Sequence, residues 1–207
     1  MRYSEFTLDL IEEKLGVRNR VEVLFKNIEP LQASQKLKED LSEVEGLAIR
    51  SEKAKSEWIV VPILKEIRRT NHNFFKIYSG DNLNVDKEKG LVGECDFILT
   101  LDTKSFNINY PIIQIVEAKK NDVELGIPQC AAQMIGADLF NEKKGVNIAR
   151  IYGCVTTGDE WLFMKYEDEN LIIDQKKYYL SELGELLGIF QVIIDSYRVA
   201  FSNLGNI

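Results

Sequence analysis

The chain has 207 residues, 45% of them apolar and 29% charged, and a net charge of −7, which is the composition of an ordinary globular protein. The acidic charge argues against indiscriminate nucleic-acid binding, although it leaves room for a local basic cleft. Three widely spaced cysteines without a C-x-x-C motif argue against a zinc site and a disulfide framework. No apolar run reaches the length of a membrane span and the N-terminal residues show no signal-peptide pattern, so we expect a cytoplasmic protein with no membrane partner.

Residues 1–50 are predicted to form an N-terminal helical extension that carries no chemistry. Apolar residues at helical spacing indicate one helix from Thr7 to Gly16 and a second between Pro30 and Gly46. The segment 21–25 fits either a strand or a helix. We therefore expect this part of the chain to act as a cap or a partner surface.

Residues 51–207 are predicted to form one α/β domain that begins with a long helix. Ser51 is a good N-cap for a helix that runs to about Thr70, and Trp58 is assigned to its apolar face. Pro62 lies inside this pattern, so we expect a kink or a break there. Glu57 lies next to the apolar stripe.

Two apolar runs that follow a strand at residues 75–79 carry charge where a buried strand should not. Asp96 lies near the start of the first run, and Glu117 and Lys119 end the second. Side chains alternate along a strand, so Glu117 and Lys119 point to the same face, and pairing of the two runs would bring Asp96 to them. Two carboxylates suit a hard cation such as Mg²⁺, and a lysine beside them can hold a water. These are the parts for metal-assisted phosphodiester hydrolysis.

The rest of the chain predicts a helix, a hairpin, a short strand and a final helix. Pro128 begins a helix to about Phe140, residues 148–166 form the hairpin, and the last helix follows Ser181. That last helix is very apolar, so it either packs on the body of the protein or provides the face of a homodimer. The order of elements predicts a mixed central β-sheet flanked by helices.

Asp96 and the tripeptide Glu117-Ala118-Lys119, in this order of elements, resemble the PD-(D/E)XK nuclease superfamily, which has a restriction-endonuclease-like fold. The resemblance covers roughly residues 51–166. Glu94-Cys95 stands where the family usually has a proline before the first aspartate. An acidic residue, any residue and then lysine also occurs elsewhere in the chain, but only Glu117-Ala118-Lys119 follows an apolar β-rich run and precedes a predicted helix.

The resemblance implies a nuclease-like α/β domain that hydrolyses DNA, with RNA left open as a substrate. Asp96 and Glu117 would bind Mg²⁺ or Mn²⁺, with the backbone carbonyl of Ala118 as a further ligand. Lys119 would orient the attacking water or stabilise charge.

Two further side-chain roles follow from the same resemblance. An acidic residue of the helix before the sheet would join the metal site, and Glu57 is the candidate; the alternative is a solvated helix acid. A glutamine of the helix after the second run would lie beside the site, and Gln133 or Gln129 is the candidate; the alternative is that both face solvent. Glu94 shares a face with Asp96 and is either an alternate ligand or a strand-edge acid.

The sequence also allows other interpretations. Asp96, Glu117 and Lys119 could form a structural salt bridge at the end of a sheet. The fold could serve as a catalytically inactive DNA- or protein-interaction module, which the acidic charge and the apolar last helix favour. A nucleotide binder ranks last because the chain has no glycine-rich phosphate loop. The single histidine, His72, lies in a predicted loop and is assigned no role.

Overall fold

A seven-stranded mixed β-sheet forms the centre of the molecule in the computed structural model, which describes residues 1–202. The strands follow the order β1-β7-β6-β5-β4-β3-β2, with parallel pairs β1–β7 and β4–β5 and antiparallel pairs elsewhere. Their bounds are Arg18–Glu22 (β1), Lys76–Asn82 (β2), Glu94–Thr100 (β3), Ile112–Ala118 (β4), Ile151–Thr156 (β5), Glu160–Glu167 (β6) and Asn170–Tyr179 (β7). The predicted α/β class and the mixed sheet are confirmed.

Helices flank this sheet. Their bounds are Leu8–Leu15 (α1), Gln35–Ser42 (α2), Glu52–Lys55 (α3), Val61–Thr70 (α4), Ile127–Lys143 (α5) and Leu183–Ser202 (α6). Gly153 of β5 faces Met134 of α5, whereas Phe163 of the neighbouring strand packs against Phe190 of α6. Because adjacent positions on a strand point to opposite faces, α5 and α6 cover opposite sides of the sheet.

The long helix predicted after Ser51 is present, but it is not regular. The Ser51 side chain accepts a hydrogen bond from the Ala54 N–H, which caps α3 as expected. A π-helical turn, Ser56–Val60, then separates α3 from α4. The irregularity expected at Pro62 therefore lies just before the proline, and it changes which side chains face inward.

The N-terminal residues belong to the same core as the rest of the chain. Strand β1 adds a parallel edge to the sheet beside β7, and Tyr3, Ile11 and Leu37 are buried in the common core. The segment 1–50 thus supplies a strand and core side chains in addition to its helices.

Helix α6 packs its apolar side on the sheet of its own chain. Phe190, Ile193 and Ile194 are fully buried, and the Tyr197 hydroxyl donates to the carbonyls of Ile113 and Arg150. The apolar character of this helix is thus accounted for within one chain, and a homodimer through it stays a prediction. Within residues 1–202, no helix is long and apolar enough to cross a membrane.

Two buried amide side chains should respond oppositely to apolar replacement. Gln114 of β4 is fully buried, and neither of its amide atoms has a hydrogen-bond partner within the described chain. Asn141 of α5 is equally buried, but it accepts from the Ile112 N–H and donates to the Ile112 carbonyl, both at 2.8 Å. In urea unfolding we expect Gln114→Met to raise the free energy of unfolding by about 1 kcal/mol and Asn141→Leu to lower it by about 2 kcal/mol. A destabilised Gln114→Met chain would show that the amide has a partner.

Candidate active site

Two carboxylates face each other where β3 begins and β4 ends. The register of this antiparallel pair sets Phe97 opposite Val116, which places Asp96 opposite Glu117 on the same face of the sheet. Asp96 Oδ2 accepts a hydrogen bond from the Ala118 N–H at 2.7 Å. Glu117 is only 2% exposed, so its charge needs compensation inside the protein.

Lys119 supplies that compensation from just beyond β4. Its Nζ donates to Glu117 Oε1 at 2.7 Å and to Gln129 Oε1 at 3.1 Å. The lysine stem passes close to Gly126, where the chain enters α5. A Cβ atom at Gly126 would lie 2.5 Å from Val155 Cγ1 and 3.0 Å from Lys119 Cγ, so a glycine is required for this approach.

Helix α5 covers the site on one face of the sheet. Gln133 is fully buried, and its Nε2 donates to Glu117 Oε2 at 3.0 Å and to the Glu94 carbonyl at 3.3 Å. Gln129 lies one turn earlier on the same helix face and holds Lys119. The structure therefore brings both predicted glutamines to the charged group, where Gln133 contacts Glu117 and Gln129 contacts Lys119.

The electrostatics of this group favour an additional positive charge. Burial and the neighbouring Asp96 carboxylate raise the pKa of Glu117 to about 7. Burial also raises the pKa of Asp96, although the Ala118 N–H opposes this shift. Burial lowers the pKa of Lys119, but the Glu117, Asp96 and Glu52 carboxylates together raise it by more, so the side chain is an ammonium at neutral pH. One ammonium is therefore shared between two partly desolvated acids.

The group opens to solvent through a polar cleft of about 550 Å³. Besides the members of the charged group, its lining includes Arg2 and Tyr3 near the N-terminus, Glu52 of α3, Asn82 and Asn84 around the end of β2, and Glu94 of β3. Glu52 Oε1 accepts from the Lys120 N–H at 3.0 Å, and Lys55 Nζ donates to the Lys120 carbonyl at 2.7 Å. These two bonds tie α3 to the segment that follows Lys119.

The structure does not bring Glu57 into the cleft. Its side chain is 55% exposed and lies 3.8 Å from Lys53 Nζ, whereas Glu52 lines the cleft instead. The prediction placed Trp58 on the inner face, but Trp58 is 45% exposed and the π-helical turn shifts the inner face toward Ile59. Regular helical spacing does not hold across the π-helical turn, so the sequence pattern could not identify Glu52 in place of Glu57.

The residues present fit a cation such as Mg²⁺ or Mn²⁺ in the chemistry of their ligands. Asp96 and Glu117 offer oxygen ligands, and Glu52 and Glu94 carry two more carboxylates on the cleft wall. In the part of the chain that the structure describes, no group of three or more His, Cys, Asp or Glu side chains is placed to hold a metal ion. Mg²⁺ is commonly bound by one or two carboxylates together with substrate phosphates and waters, so this site suits a cation that arrives with its substrate.

Comparison with protein-family models gives no match, and no curated protein matches the chain.

Proposed function

We propose that the chain is a Mg²⁺- or Mn²⁺-dependent nuclease that hydrolyses DNA phosphodiester bonds, with a restriction-endonuclease-like fold of the PD-(D/E)XK superfamily. The observation that carries the proposal is the pairing of Asp96 with Glu117 across two adjacent strands at one end of the sheet, with the Lys119 ammonium bound to Glu117 and lining the same cleft. Buried, desolvated acids beside a polar cleft are a frequent mark of a functional site.

Each member of the site has a separate task in this proposal. The metal ion, when bound, would stabilise negative charge on the phosphate and lower the pKa of a bound water. Asp96 and Glu117 would hold it through their carboxylates, and the backbone carbonyl of Ala118 would be a further ligand.

Lys119 and the two glutamines support that pair. Because the pKa of Lys119 is raised, it acts as a hydrogen-bond donor to water or to a phosphate oxygen rather than as a general base. Gln133 holds Glu117 in its orientation, and Gln129 holds the ammonium of Lys119.

One observation favours a second function, an inactive interaction module with the same fold. Both carboxylate oxygens of Glu117 already accept hydrogen bonds, from Lys119 at 2.7 Å and from Gln133 at 3.0 Å. The ion pair is therefore satisfied without a cation, as a structural salt bridge would be. Metal binding separates the two functions, since a purely structural pair should bind no divalent ion.

The test is cleavage of supercoiled DNA, single-stranded DNA and RNA with Mg²⁺, Mn²⁺ or EDTA, together with Mn²⁺ titration by calorimetry. The nuclease proposal expects strand scission of DNA with Mg²⁺ or Mn²⁺, no scission in EDTA, and Mn²⁺ binding at a single site. Scission of RNA alone would correct the substrate class. A chain that neither binds Mn²⁺ nor cuts any of the three substrates would contradict the nuclease and favour the interaction module.

A further inference from the structure

An exposed aromatic ring stands on a firmly held loop at the far end of β2 and β3. Phe106 is 93% exposed. The Asp102 carboxylate accepts from the backbone N–H groups of Lys104 and Ser105 and from the side chain of Asn109. These bonds from one carboxylate order the loop that carries the exposed ring.

Side chains of β2 hold this loop on both sides of the ring. The Tyr78 hydroxyl donates to the Asn107 carbonyl at 2.6 Å and to the Ser105 carbonyl at 3.1 Å. Lys76 Nζ donates to the same Ser105 carbonyl. The backbone before and after Phe106 is thus anchored, and the ring is presented without a large ordering cost on binding.

A groove of about 630 Å³ runs along edge strand β2 from this ring toward the candidate active site. It shares Asn82 and Asn84 with the active-site cleft, so the two depressions meet at that end. The seven residues of β2 span about 20 Å at ~3.3 Å per residue. That length accommodates about six nucleotides at the ~3.4 Å spacing of stacked bases.

We propose that this groove binds a single-stranded nucleic-acid segment that extends from the active site, with one base stacked on Phe106. The inference rests on the proposed nuclease function and adds the class of substrate strand and its path. Exposed aromatic side chains are the usual platforms for single-stranded bases, and they tolerate any sequence. The side-chain amides of Asn82 and Asn84 offer both donors and acceptors to bases and phosphates.

The chemistry of the groove favours a nucleic acid over an extended peptide. A peptide would have to pair with the free edge of β2, but Gly80 has φ +69° within that strand, and the exposed Asp81 follows it. A backbone irregularity and an edge charge are features that oppose strand addition. At the ring end of the groove, Lys76 supplies one positive charge for a phosphate backbone.

The test is fluorescence anisotropy of labelled oligothymidylates of increasing length, at fixed low salt and in EDTA so that no cleavage occurs. Affinity should rise up to about six nucleotides and then level off. Phe106→Ala should weaken binding of the longer oligonucleotides by about 5- to 100-fold, whereas Phe106→Trp should retain it. Val21→Ala is the matched control, because Val21 is also an exposed apolar residue but lies on the opposite edge of the sheet.

Hydrolysis of bis(p-nitrophenyl) phosphate, which is too short to reach Phe106, separates this inference from the proposed function. Equal metal-dependent hydrolysis by wild type and Phe106→Ala, with weaker oligonucleotide binding by the variant, is the expected result. Unchanged oligonucleotide affinity in Phe106→Ala would overturn the groove and leave the nuclease standing. If Phe106→Ala instead lost the binding that wild type shows to a labelled valine-rich peptide, and kept its oligonucleotide affinity, the groove would bind a peptide and the inference would be overturned. Wild-type protein that binds oligonucleotides through Phe106 but hydrolyses no phosphodiester would support the groove and contradict the nuclease.

Discussion

Replacing Glu117 with glutamine is expected to lower metal-dependent DNA cleavage by at least about a thousandfold, equivalent to ~4 kcal/mol of transition-state stabilisation. The substitution keeps the size of the side chain but removes the charge that would hold the metal ion. It also replaces one of the two carboxylate oxygens, which accept from Lys119 and Gln133, with an amide N–H group that cannot accept. The measurement is the rate of nicking of supercoiled DNA at saturating Mn²⁺, with circular dichroism to confirm the fold.

Glu57 and Glu52, two acids of the helical segment that follows Ser51, provide the matched controls for that experiment. Glu57→Gln should leave the rate within about a factor of two, because the Glu57 side chain is 55% exposed and lies outside the cleft. Glu52→Gln should lower the rate by about tenfold, since Glu52 lines the cleft and anchors the Lys120 backbone. Wild-type activity in Glu117→Gln would rule out this site, and a loss at Glu57 without a loss at Glu52 would contradict the placement of the helix.

The central acids of the site could be predicted from the sequence because their placement depends on local rules. Charge at the end of an apolar β-run identifies a strand terminus, and strand alternation puts Glu117 and Lys119 on one face. Antiparallel pairing of neighbouring runs then brings Asp96 across from Glu117. The prediction that Gln133 or Gln129 lies beside the site comes from the resemblance to the nuclease superfamily and not from a local rule, and the structure brings both glutamines there.

The parts that the sequence did not reveal depend on distant or irregular contacts. The π-helical turn before Pro62 is set by packing, and it moved the inner helix face from Trp58 to Ile59. Strand β1 forms only by pairing with β7, which is about 150 residues away along the chain, so no local signal distinguishes it from a helix. The predicted short strand at residues 171–173 extends to Tyr179, because pairing with β6 continues through the polar residues that follow.

The net charge of −7 is compatible with a nucleic-acid substrate because the acids and bases are unevenly placed. Several of the acids are the cleft carboxylates themselves, whose repulsion of phosphate a divalent cation would reverse. Arg2 and Lys119 line the same cleft, and the Lys55 ammonium is held at the Lys120 carbonyl, next to Lys119 in the chain. Binding of the phosphate at this cleft should therefore depend on the divalent ion more than on a basic surface, whereas binding of a strand along the β2 groove should not require the ion.

The stability of the wild-type chain in EDTA is expected to fall as pH rises from about 5 to about 8. The pKa of Glu117 is raised to about 7 in the folded protein, from an ordinary value of 4.5, so the folded state binds more protons than the unfolded state in this window. This contribution is fully present below pH 4.5 and is lost as pH rises through about 7. A shift of this size corresponds to about 3 kcal/mol, which urea unfolding at a series of pH values can measure.

Asp138 contributes to the same slope and must be separated from Glu117. Burial, followed by the nearby Glu142 carboxylate, raises the pKa of Asp138 to about 6, so its contribution is lost at a lower pH. Glu117→Gln should flatten the slope between about pH 6 and 8, while Asp138→Asn should flatten it only below about pH 6. An unchanged slope in Glu117→Gln would contradict the raised pKa of this buried acid.

Added Mn²⁺ should reverse the loss of stability at high pH if Glu117 and Asp96 are its ligands. Protons and the metal ion compete for the same carboxylates, so stabilisation by Mn²⁺ should be small at pH 5 and large at pH 8. The effect should vanish in Glu117→Gln and persist in Glu57→Gln. Equal stabilisation by Mn²⁺ in wild type and Glu117→Gln would place the ion elsewhere, and this result would hold whether or not a substrate for cleavage had been found.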